Sequence, residues 1–391
     1  MTARHIDLHV LQDLPAHCLN RGEYDEPKSL LIGNTLRPAL SSQCVKHAHR
    51  HAVEDRLGEP AARTRLLPHR LATALRAAHW PKELAQFAAE QVPRSATREG
   101  LDLKDADRTL AMLLLPAATI LDDLVTLCTT HRPALEAGLA TETARAAAGK
   151  AKGTAAYLPT AQVVRLLATR TASINLFGRF LAGVPDAKVA GAVQMAWSFT
   201  THASDLQPDF YTAVEDWARE QDSGGAHLDT AYLAAGVYYR YATINLTELT
   251  ANTKSAAKAI GLLGLFTEVF LTTLPRAKNT STAPHTLPDL AHYAVRDRRP
   301  VSYAAAFHQP VAADPRGGYL APSRQALSQH AGTLNQLLGT RHLVAHGYTS
   351  QATDPVDHLG DRHATFDDLI DAVMTAAAAP PTPCRTYHQS A

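Results

Sequence analysis

The sequence predicts an α+β fold in which strand and helix units are interrupted by a large helical insertion. Two segments, HIDLHVLQDL near the start and AAGVYYRYATINL near residue 240, alternate apolar and polar residues with the period of a β-strand. Between them, from about Pro60 to Phe180, Ala, Leu and Arg recur with helical spacing. Strands on either side of a helical block indicate this class.

The first predicted strand is HIDLHVLQDL. Ile6, Leu8 and Val10 would share one face of it, whereas Asp7 and His9 would share the other. This alternation is typical of a half-buried strand with one side toward the core.

A polar loop, HCLNRGEYDEPKS, follows the strand and leads to the segment SSQCVKHAHRHAVEDRL. The segment is predicted to be a helix, and Ser41 or Ser42 is its expected N-cap because a serine hydroxyl accepts a bond from the first turn.

Further elements are predicted after the insertion. AAGVYYRYATINL is expected to be a central strand, SAAKAIGLLGLFTEVFLTTL a helix, and VSYAAAF a short strand. A last helix is predicted near Ser323 to Leu338, and the Pro-rich tail after Pro380 is predicted to be disordered.

The composition is that of a folded protein, with 46% hydrophobic residues. Lysine and arginine number 38 against 37 acidic residues, so the net charge of +1 does not indicate a polyanionic partner. Local charge differs from this average: between Leu30 and Ala52 the charged residues are Arg37, Lys46 and Arg50, with no acid among them.

The four cysteines lie far apart without a CxxC pair, which argues against a disulfide framework and a four-cysteine zinc site. The first residues lack a signal-peptide pattern, and no apolar run reaches membrane-spanning length. We therefore expect a cytoplasmic protein that does not enter a membrane.

The histidine-rich stretch LSSQCVKHAHRH raises the question of a metal site. On a helix, Cys44, His47, His51 and Glu54 form one stripe. At about 1.5 Å per residue, Cys44 and His51 are roughly 10 Å apart along the axis, too far for one zinc ion. Since no second motif supplies further ligands, we expect no metal site.

The other faces of the same helix divide into a buried side and a cationic side. Val45, Ala48 and Ala52 are predicted to be buried. Lys46 and Arg50 project together, four residues apart, and predict a cationic binding face.

No catalytic motif stands out. The sequence has no GxSxG elbow, P-loop or GxGxxG, so no cofactor is expected. The paired acids Asp122–Asp123 and Asp367–Asp368 lie in amphipathic helical patterns and are predicted to be solvated helix faces.

Several segments together resemble the CasC family, the backbone subunits of the type I-E CRISPR Cascade complex. They are HIDLHVLQDLPAHCLNRGEYDEPKS, SSQCVKHAHR, GGAHLDTAYLAAGVYYRYATINLTEL, PRAKNTS and APSRQAL. The resemblance is specific from His5 to about Arg50 and from about Trp197 to Gln325.

The resemblance implies a hand-like protein with a modified RRM-like (ferredoxin-like) palm at 1–58 and 229–380, helical fingers at 59–194 and a protruding thumb loop at 195–228. The tail is 381–391. Several copies would polymerise along one CRISPR RNA beside other Cascade subunits, and the guide would then pair with target DNA in antiviral defence. The implied subunit is not an enzyme.

The implied RNA-binding residues lie in the first loop, the following helix, the end of the fingers, the thumb and the segment PRAKNTS. They are Asn20, Arg21, Lys28, Arg37, Ser41, Ser42, Gln43, Lys46, His47, Arg50, Arg179, Phe180, Phe210, Tyr211, Thr212, Val214, Lys278 and Asn279. Lys150 and Lys152 would contact target DNA, or form a solvated joint.

The sequence departs from the family pattern at two places. Before Ser41 only Arg37 remains of the basic residues that relatives often carry, and His47 stands where the family often has arginine. Part of the positive charge on the helix is therefore titratable near neutral pH.

Three alternatives stay open. The adjacent aromatics Phe210 and Tyr211 would, without the resemblance, be expected to anchor a loop to the core. A metal-dependent ribonuclease that cleaves target RNA, as in type III complexes, would use Asp25, the only Asp of the first loop. A structural α+β protein unrelated to RNA is the third.

Overall fold

We describe the protein from a computed structural model. The structure describes residues 4–97, 101–150, 155–181, 183–184, 187–213 and 227–379. The chain divides into two compact units, one formed by Met1–Ala52 with Val193–Ala391 and the other by Val53–Ala192. The predicted disordered tail, 381–391, lies outside the described residues.

The strands of the described residues are β1 (His5–His17), β2 (Ser29–Ile32), β3 (Thr35–Leu40), β4 (Ala61–Thr64), β5 (Leu103–Asp105), β6 (Arg108–Thr109), β7 (Leu113–Pro116), β8 (Val193–Met195), β9 (Ser198–Thr200), β10 (Gln207–Ala213), β11 (His227–Asn245), β12 (Leu290–Arg296), β13 (Leu343–Ser350) and β14 (Asp361–Arg362).

The helices of the described residues are α1 (Ser42–Leu57), α2 (Leu67–Ala77), α3 (Lys82–Arg94), α4 (Ile120–Thr130), α5 (Arg132–Ala147), α6 (Thr160–Leu167), α7 (Ala172–Phe177), α8 (Leu246–Thr253), α9 (Ala256–Thr272), α10 (Asn279–Thr282), α11 (Leu320–Leu338) and α12 (Phe366–Ala378). Short 3-10 helices cover Ala304–Phe307 and Thr340–His342. None of these helices is both long and apolar enough to cross a membrane.

The first unit is built on one large sheet with the strand order β14-β13-β12-β1-β11-β9-β3-β2. Its centre is antiparallel, since β1 pairs with β11 (His5 opposite Asn245) and with β12 (His5 opposite Arg296). The strand β11 also pairs with β8 and β10. The predicted α+β class and the central position of AAGVYYRYATINL are confirmed.

Both faces of β1 are buried, so the half-buried strand predicted from its alternation is wrong. Asp7 and His9 are fully buried. Asp7 accepts hydrogen bonds from the Tyr241 hydroxyl (3.0 Å) and the Val301 backbone (2.9 Å), and it lies 3.3 Å from Arg296 Nε. Burial raises the pKa of Asp7 to about 6, although the hydrogen bonds and the charge of Arg296 act to lower it. The face that carries Asp7 and His9 can be buried because neighbouring elements supply hydrogen-bond partners for its polar side chains.

Helices and loops cover the two faces of this sheet. On one face Leu14, Leu40 and Tyr238 pack with Val45 of α1. On the other face Leu11, Val237 and Tyr239 belong to a cluster completed by Phe307 and by Leu327 of α11. The alternation along β1 and β11 thus separates two apolar layers.

The prediction that VSYAAAF is a strand is wrong, because this segment contains the 3-10 turn Ala304–Phe307. Tyr303 and Phe307 are both fully buried in the same cluster, and their spacing of four residues suits a helical turn. The three alanines between them also have little preference for a strand.

The second unit is mainly helical. Its core joins α2, α3, α4, α5 and α6 through Leu71, Phe87, Leu124, Leu135 and Val163, all buried. Two two-stranded antiparallel sheets accompany the helices, formed by β4 with β7 and by β5 with β6.

The paired acids lie on helices, as the sequence predicts. Asp122 and Asp123 are exposed in the first turn of α4, and Asp367 and Asp368 are exposed in the first turn of α12. Asp368 forms a capping box with Thr365. These carboxylates therefore stabilise helix starts.

Candidate nucleic-acid interface

The loop after β1 is fastened to the start of α1. The Oδ1 atom of Asn20 accepts a hydrogen bond from the backbone N–H of Ser41 (2.7 Å), and its backbone carbonyl accepts one from Lys28 (2.9 Å). The Cys44 thiol donates to the carbonyl of Leu19 (3.6 Å). The predicted loop residues are thus placed beside the first turn of the helix.

Ser41 is the N-cap of α1. Its hydroxyl accepts from the backbone of Cys44 (3.3 Å), and its side chain is buried. Ser42 is half-buried and Gln43 exposed in the first turn, which contains no acidic residue. The helix start therefore keeps the positive end of its dipole uncompensated by acid.

Lys46 and Arg50 lie one turn apart on α1, as predicted, and both are half-buried. Burial lowers the pKa of Lys46. His47 is exposed, and its ring meets that of His51 edge to face, with centroids 4.5 Å apart. Among the residues that the structure describes, no group of three His, Cys, Asp or Glu side chains could hold a metal ion.

His49 is the residue of this helix that sequence reasoning missed. It is fully buried, its Nε2 atom lies 3.1 Å from the carbonyl of Thr273, and its ring packs edge-on against Phe266 and Phe270. The buried face therefore includes Val45, His49 and Val53, each four residues from the next, whereas the predicted Ala48 and Ala52 are only half-buried. The four-residue spacing from Val45 is the sequence signal that places His49 on the buried face of the helix.

Charged side chains of the loop and of the segment before α10 act on Cys18. Burial raises the pKa of the Cys18 thiol; the positive charges of Lys278 and Arg21 lower it, and the negative charges of Asp25 and Glu26 raise it. Lys28 acts in the same way on Cys44 of α1. We call Arg21, Lys28, Lys46, Arg50 and Lys278 the cationic edge.

The individual members of this edge also have protein partners. Arg21 forms an ion pair with Asp25 (3.0 Å) between side chains that are about half and three-quarters exposed, so water screens the pair. The Lys28 ammonium lies 5.9 Å from the centre of the Trp197 ring.

The predicted pair Lys278 and Asn279 lies at the start of α10. Lys278 has a left-handed backbone (φ 51°). The Oδ1 atom of Asn279 is buried without a hydrogen-bond partner in the described part of the chain. A buried acceptor of this kind calls for a donor.

Arg37 lies in the core rather than on the cationic edge. Its side chain is fully buried, and its guanidinium donates to the carbonyls of Thr200 (2.8 Å) and Phe307 (3.2 Å). Burial lowers its pKa. In this position Arg37 joins β3 to the neighbouring segments and is not accessible to a phosphate.

Arg179 in the second unit is also buried, and its guanidinium donates to four backbone carbonyls. These belong to Leu114, Ala168, Thr169 and Ala187, at 2.7–3.1 Å. Burial, and secondarily Arg170, lowers its pKa to about 10. Its neighbour Phe180 is 77% exposed, with Lys188 Nζ 5.9 Å from the ring centre. Phe180 is thus accessible to a ligand and Arg179 is not.

The predicted thumb residues lie on a two-stranded ribbon and not in a loop. Phe210, Tyr211 and Thr212 of β10 pair with Thr230, Asp229 and Leu228 of β11. Phe210 is 67% exposed and Tyr211 42%, so neither anchors the segment to the core. Val214 lies outside the described residues.

The register gives this ribbon two different faces. Leu228 and Tyr232 lie opposite Thr212 and Pro208 and share the face of Phe210. All three large apolar side chains are exposed, so this face is an apolar platform. Sequence reasoning missed Leu228 and Tyr232, although the alternation in HLDTAYL is a signal for them.

The two residues predicted to contact target DNA are Lys150 and Lys152. Lys150 is exposed in the second unit just after α5, and its backbone N–H donates to the carbonyl of Arg145 (3.0 Å). Lys152 lies outside the described residues.

The family model of the CT1975-like protein matches residues 6–372, almost the whole chain. This chain belongs to the CT1975-like family. The resemblance of its motifs to the CasC family is thereby confirmed.

Two solved structures extend the comparison of this family member. One is described as a CRISPR RNA-guided surveillance complex, pre-nicking; it is 36% identical, with a TM-score of 0.86, over 95% of this chain and 100% of that one. The other, a CRISPR RNA-guided surveillance complex, is 32% identical, with a TM-score of 0.77, over 95% and 99%. No match was found among curated protein sequences.

Proposed function

We propose that this CasC-family chain is a backbone subunit of a type I-E CRISPR surveillance complex and binds the phosphate backbone of the guide RNA at its cationic edge. The observation that carries the proposal is the bond from Ser41 N–H to Asn20 Oδ1. It joins the loop with Arg21 and Lys28 to the helix with Lys46 and Arg50.

The chemistry of the edge suits single-stranded RNA. A protein that binds RNA without sequence preference needs cations and hydrogen-bond donors for phosphates. The cationic edge supplies the charge, and Ser42 and Gln43 add donors at a helix start without acidic residues.

The rest of the function follows from the same resemblance. Several copies bind side by side along one guide in the cytoplasm, together with other subunits of the complex, and the ribbon of each copy lies beside the bases. The guide then pairs with target DNA. The palm, fingers and thumb architecture belongs to this proposal, and the subunit acts as a scaffold and not as an enzyme.

Co-purification tests the assembly. The chain is expressed with its neighbouring subunits and a CRISPR array, and the nucleic acid that accompanies it is sequenced. We expect a discrete RNA of CRISPR-repeat length. A complex that carries no RNA, or only random fragments, contradicts the proposal.

The salt dependence of binding tests the edge. For single strands, the logarithm of the affinity falls with the logarithm of the salt concentration by about 0.7 per neutralised phosphate. Replacing Lys46 and Arg50 with Ala should therefore reduce the slope by about 1.4. Lys258→Ala, an exposed lysine on α9, serves as the matched control. An unchanged slope in the double variant contradicts the assignment.

A further inference from the structure

The loop that follows β12 and the turn that precedes β13 are held together by two hydrogen bonds. The Asp297 backbone N–H donates to the His342 carbonyl (3.3 Å), and His342 Nδ1 lies 2.8 Å from Asp297 Oδ1. An ionised carboxylate has no donor, so this ring nitrogen donates the second bond. Since β12 and β13 are antiparallel, Arg298 and Arg341 come directly after this pair on the two segments.

The two segments expose three arginines, which we call the arginine patch: Arg298, Arg299 and Arg341. In the part of the chain that the structure describes, no carboxylate pairs with any of them, and the adjacent Asp297 is bonded to an imidazole. Arg296, two residues earlier, differs because it is buried and pairs with an acid of β1. Neighbouring positive charges repel one another, so an anionic ligand stabilises the patch.

The arginine patch lies far from the first loop of the cationic edge. The strand β1 runs from His5, which is opposite Arg296, to His17, which precedes the loop with Arg21 and Lys28. At about 3.3 Å per residue, its 13 residues span roughly 40 Å. The patch is therefore a separate site and not a continuation of that loop.

We propose that the arginine patch is a second nucleic-acid site, where each guanidinium binds a phosphate of a strand other than the guide segment at the cationic edge. The planar fork of arginine donates two parallel hydrogen bonds to one phosphate. A nucleic-acid backbone also offers adjacent single negative charges to neighbouring cations. This inference goes beyond the proposed function, because it does not require the cationic edge to bind RNA.

The surroundings of the patch suggest one competing ligand. Leu338, the last residue of α11, lies three residues before Arg341 and is 45% exposed. An apolar side chain beside arginines also suits an acidic protein partner, since arginine is enriched at protein interfaces. Binding to pure nucleic acid distinguishes these two ligands.

The experiment measures binding of the full-length chain to fluorescein-labelled duplex DNA and, separately, to single-stranded DNA over a salt series. The parent carries Lys46→Ala and Arg50→Ala, which weaken the cationic edge. Adding Arg298→Ala, Arg299→Ala and Arg341→Ala should reduce the salt slope by about 2.7 on a duplex ligand or about 2.1 on a single-stranded one, at about 0.9 and 0.7 per phosphate. The DNA form on which the slope falls is the form that the patch binds.

Two further variants serve as controls. Lysine at the same three positions keeps the charge and should keep the salt slope of the parent. Lys254→Asn, Lys258→Ala and Arg316→Ala remove three charges from exposed positions elsewhere in this unit and should leave the slope unchanged. The thermal midpoint of the alanine variant should match that of the parent, because all three arginines are exposed.

Three outcomes overturn the inference: no salt-dependent binding of the parent to either DNA, an unchanged slope on both, or an equal loss of slope in the charge-matched control. An unchanged slope together with the loss of another subunit in co-purification would make the patch a surface for an acidic protein. The proposed function is tested separately, by the effect of Lys46→Ala and Arg50→Ala alone on single-stranded RNA.

Discussion

His49 is an imidazole at a position of α1 where the helical pattern places an apolar side chain. Full burial lowers its pKa to about 3, and the charge of Arg240 acts in the same direction. The bond with the Thr273 carbonyl works against this shift without cancelling it. The ring is therefore neutral in the folded protein, and this neutrality makes folding dependent on pH.

We expect His49→Gln to reduce the acid sensitivity of the fold. Between the ordinary histidine pKa of about 6.5 and the folded value of about 3, only the unfolded chain binds this proton. Stability is therefore fully present above pH 6.5 and falls as the pH falls, by about 1.4 kcal/mol per pH unit. The variant should lose that part of the slope in unfolding measured from pH 7 to 5.

The control is His47→Gln on the exposed side of the same helix, which should leave the slope unchanged. A His49→Gln protein with the full wild-type slope would mean that His49 does not stay neutral in the fold.

Arg37 provides a second test at the scale of a residue. Arg37→Ala leaves the carbonyls of Thr200 and Phe307 without their donors, so we expect the free energy of unfolding to fall by about 2–4 kcal/mol. The measurement is thermal denaturation with and without the substitution.

The salt dependence of RNA binding distinguishes a structural role of Arg37 in the core from a role in binding phosphate. Below the melting temperature we expect the Arg37→Ala slope to equal that of the wild type, because a buried guanidinium neutralises no phosphate. A stable variant with a shallower slope would instead place Arg37 at the RNA.

At the scale of elements, the β10–β11 ribbon combines an apolar face with an acidic one. Phe210, Leu228 and Tyr232 share the first face. Asp209 and Asp229 share the second with Tyr211, whose hydroxyl donates to Asp229 (3.2 Å). Carboxylates repel phosphates, so a nucleic acid is expected to approach the apolar face.

We therefore expect Phe210→Ala to weaken RNA binding by about 1–3 kcal/mol, the range for loss of one stacked base. The fold should remain intact because the side chain is exposed. Affinity of the assembled complex, measured at fixed salt, gives the value.

Tyr211→Ala on the opposite face is the matched comparison and should cost less. If Tyr211→Ala weakens binding more than Phe210→Ala, the acidic face meets the RNA and the orientation inferred for the ribbon is wrong.

At the scale of the whole molecule, a net charge of +1 is compatible with a local nucleic-acid interface, because folding can bring cations from distant segments into one unit. Arg21 and Lys278 are more than two hundred residues apart in sequence, yet both belong to the same unit as Lys46. Bulk charge averages over the surface and does not report such clustering.

A cleavage assay on the assembled complex distinguishes a scaffold from a nuclease. Asp25, the candidate acid, is paired with Arg21 at 3.0 Å. We expect the assembled complex, given complementary RNA and magnesium, to leave that RNA intact on a denaturing gel. Periodic cuts that disappear with Asp25→Ala would establish the ribonuclease instead.

Local patterns predicted several parts of this protein correctly. Alternation identified β11, and Ser41 marked the start of α1 because a cap depends on residues adjacent in sequence. The spacing of Lys46 and Arg50 predicted that they lie one turn apart on a helix, and both are on α1. The ribbon was predicted as a loop, because its strand pairing depends on partners twenty residues away.

By itself, the sequence determined the α+β class, the family and the helix that carries Lys46 and Arg50, since each depends on short-range periodicity or on motifs in order. Tertiary structure alone decided which polar side chains are inside. Arg37, His49 and Arg179 are polar residues of the kind usually found at the surface, yet all three are buried. Backbone carbonyls from other segments accept hydrogen bonds from the two guanidinium groups, and the carbonyl of Thr273 lies 3.1 Å from the His49 ring nitrogen. Burial of a polar group depends on such long-range partners, which no local pattern contains.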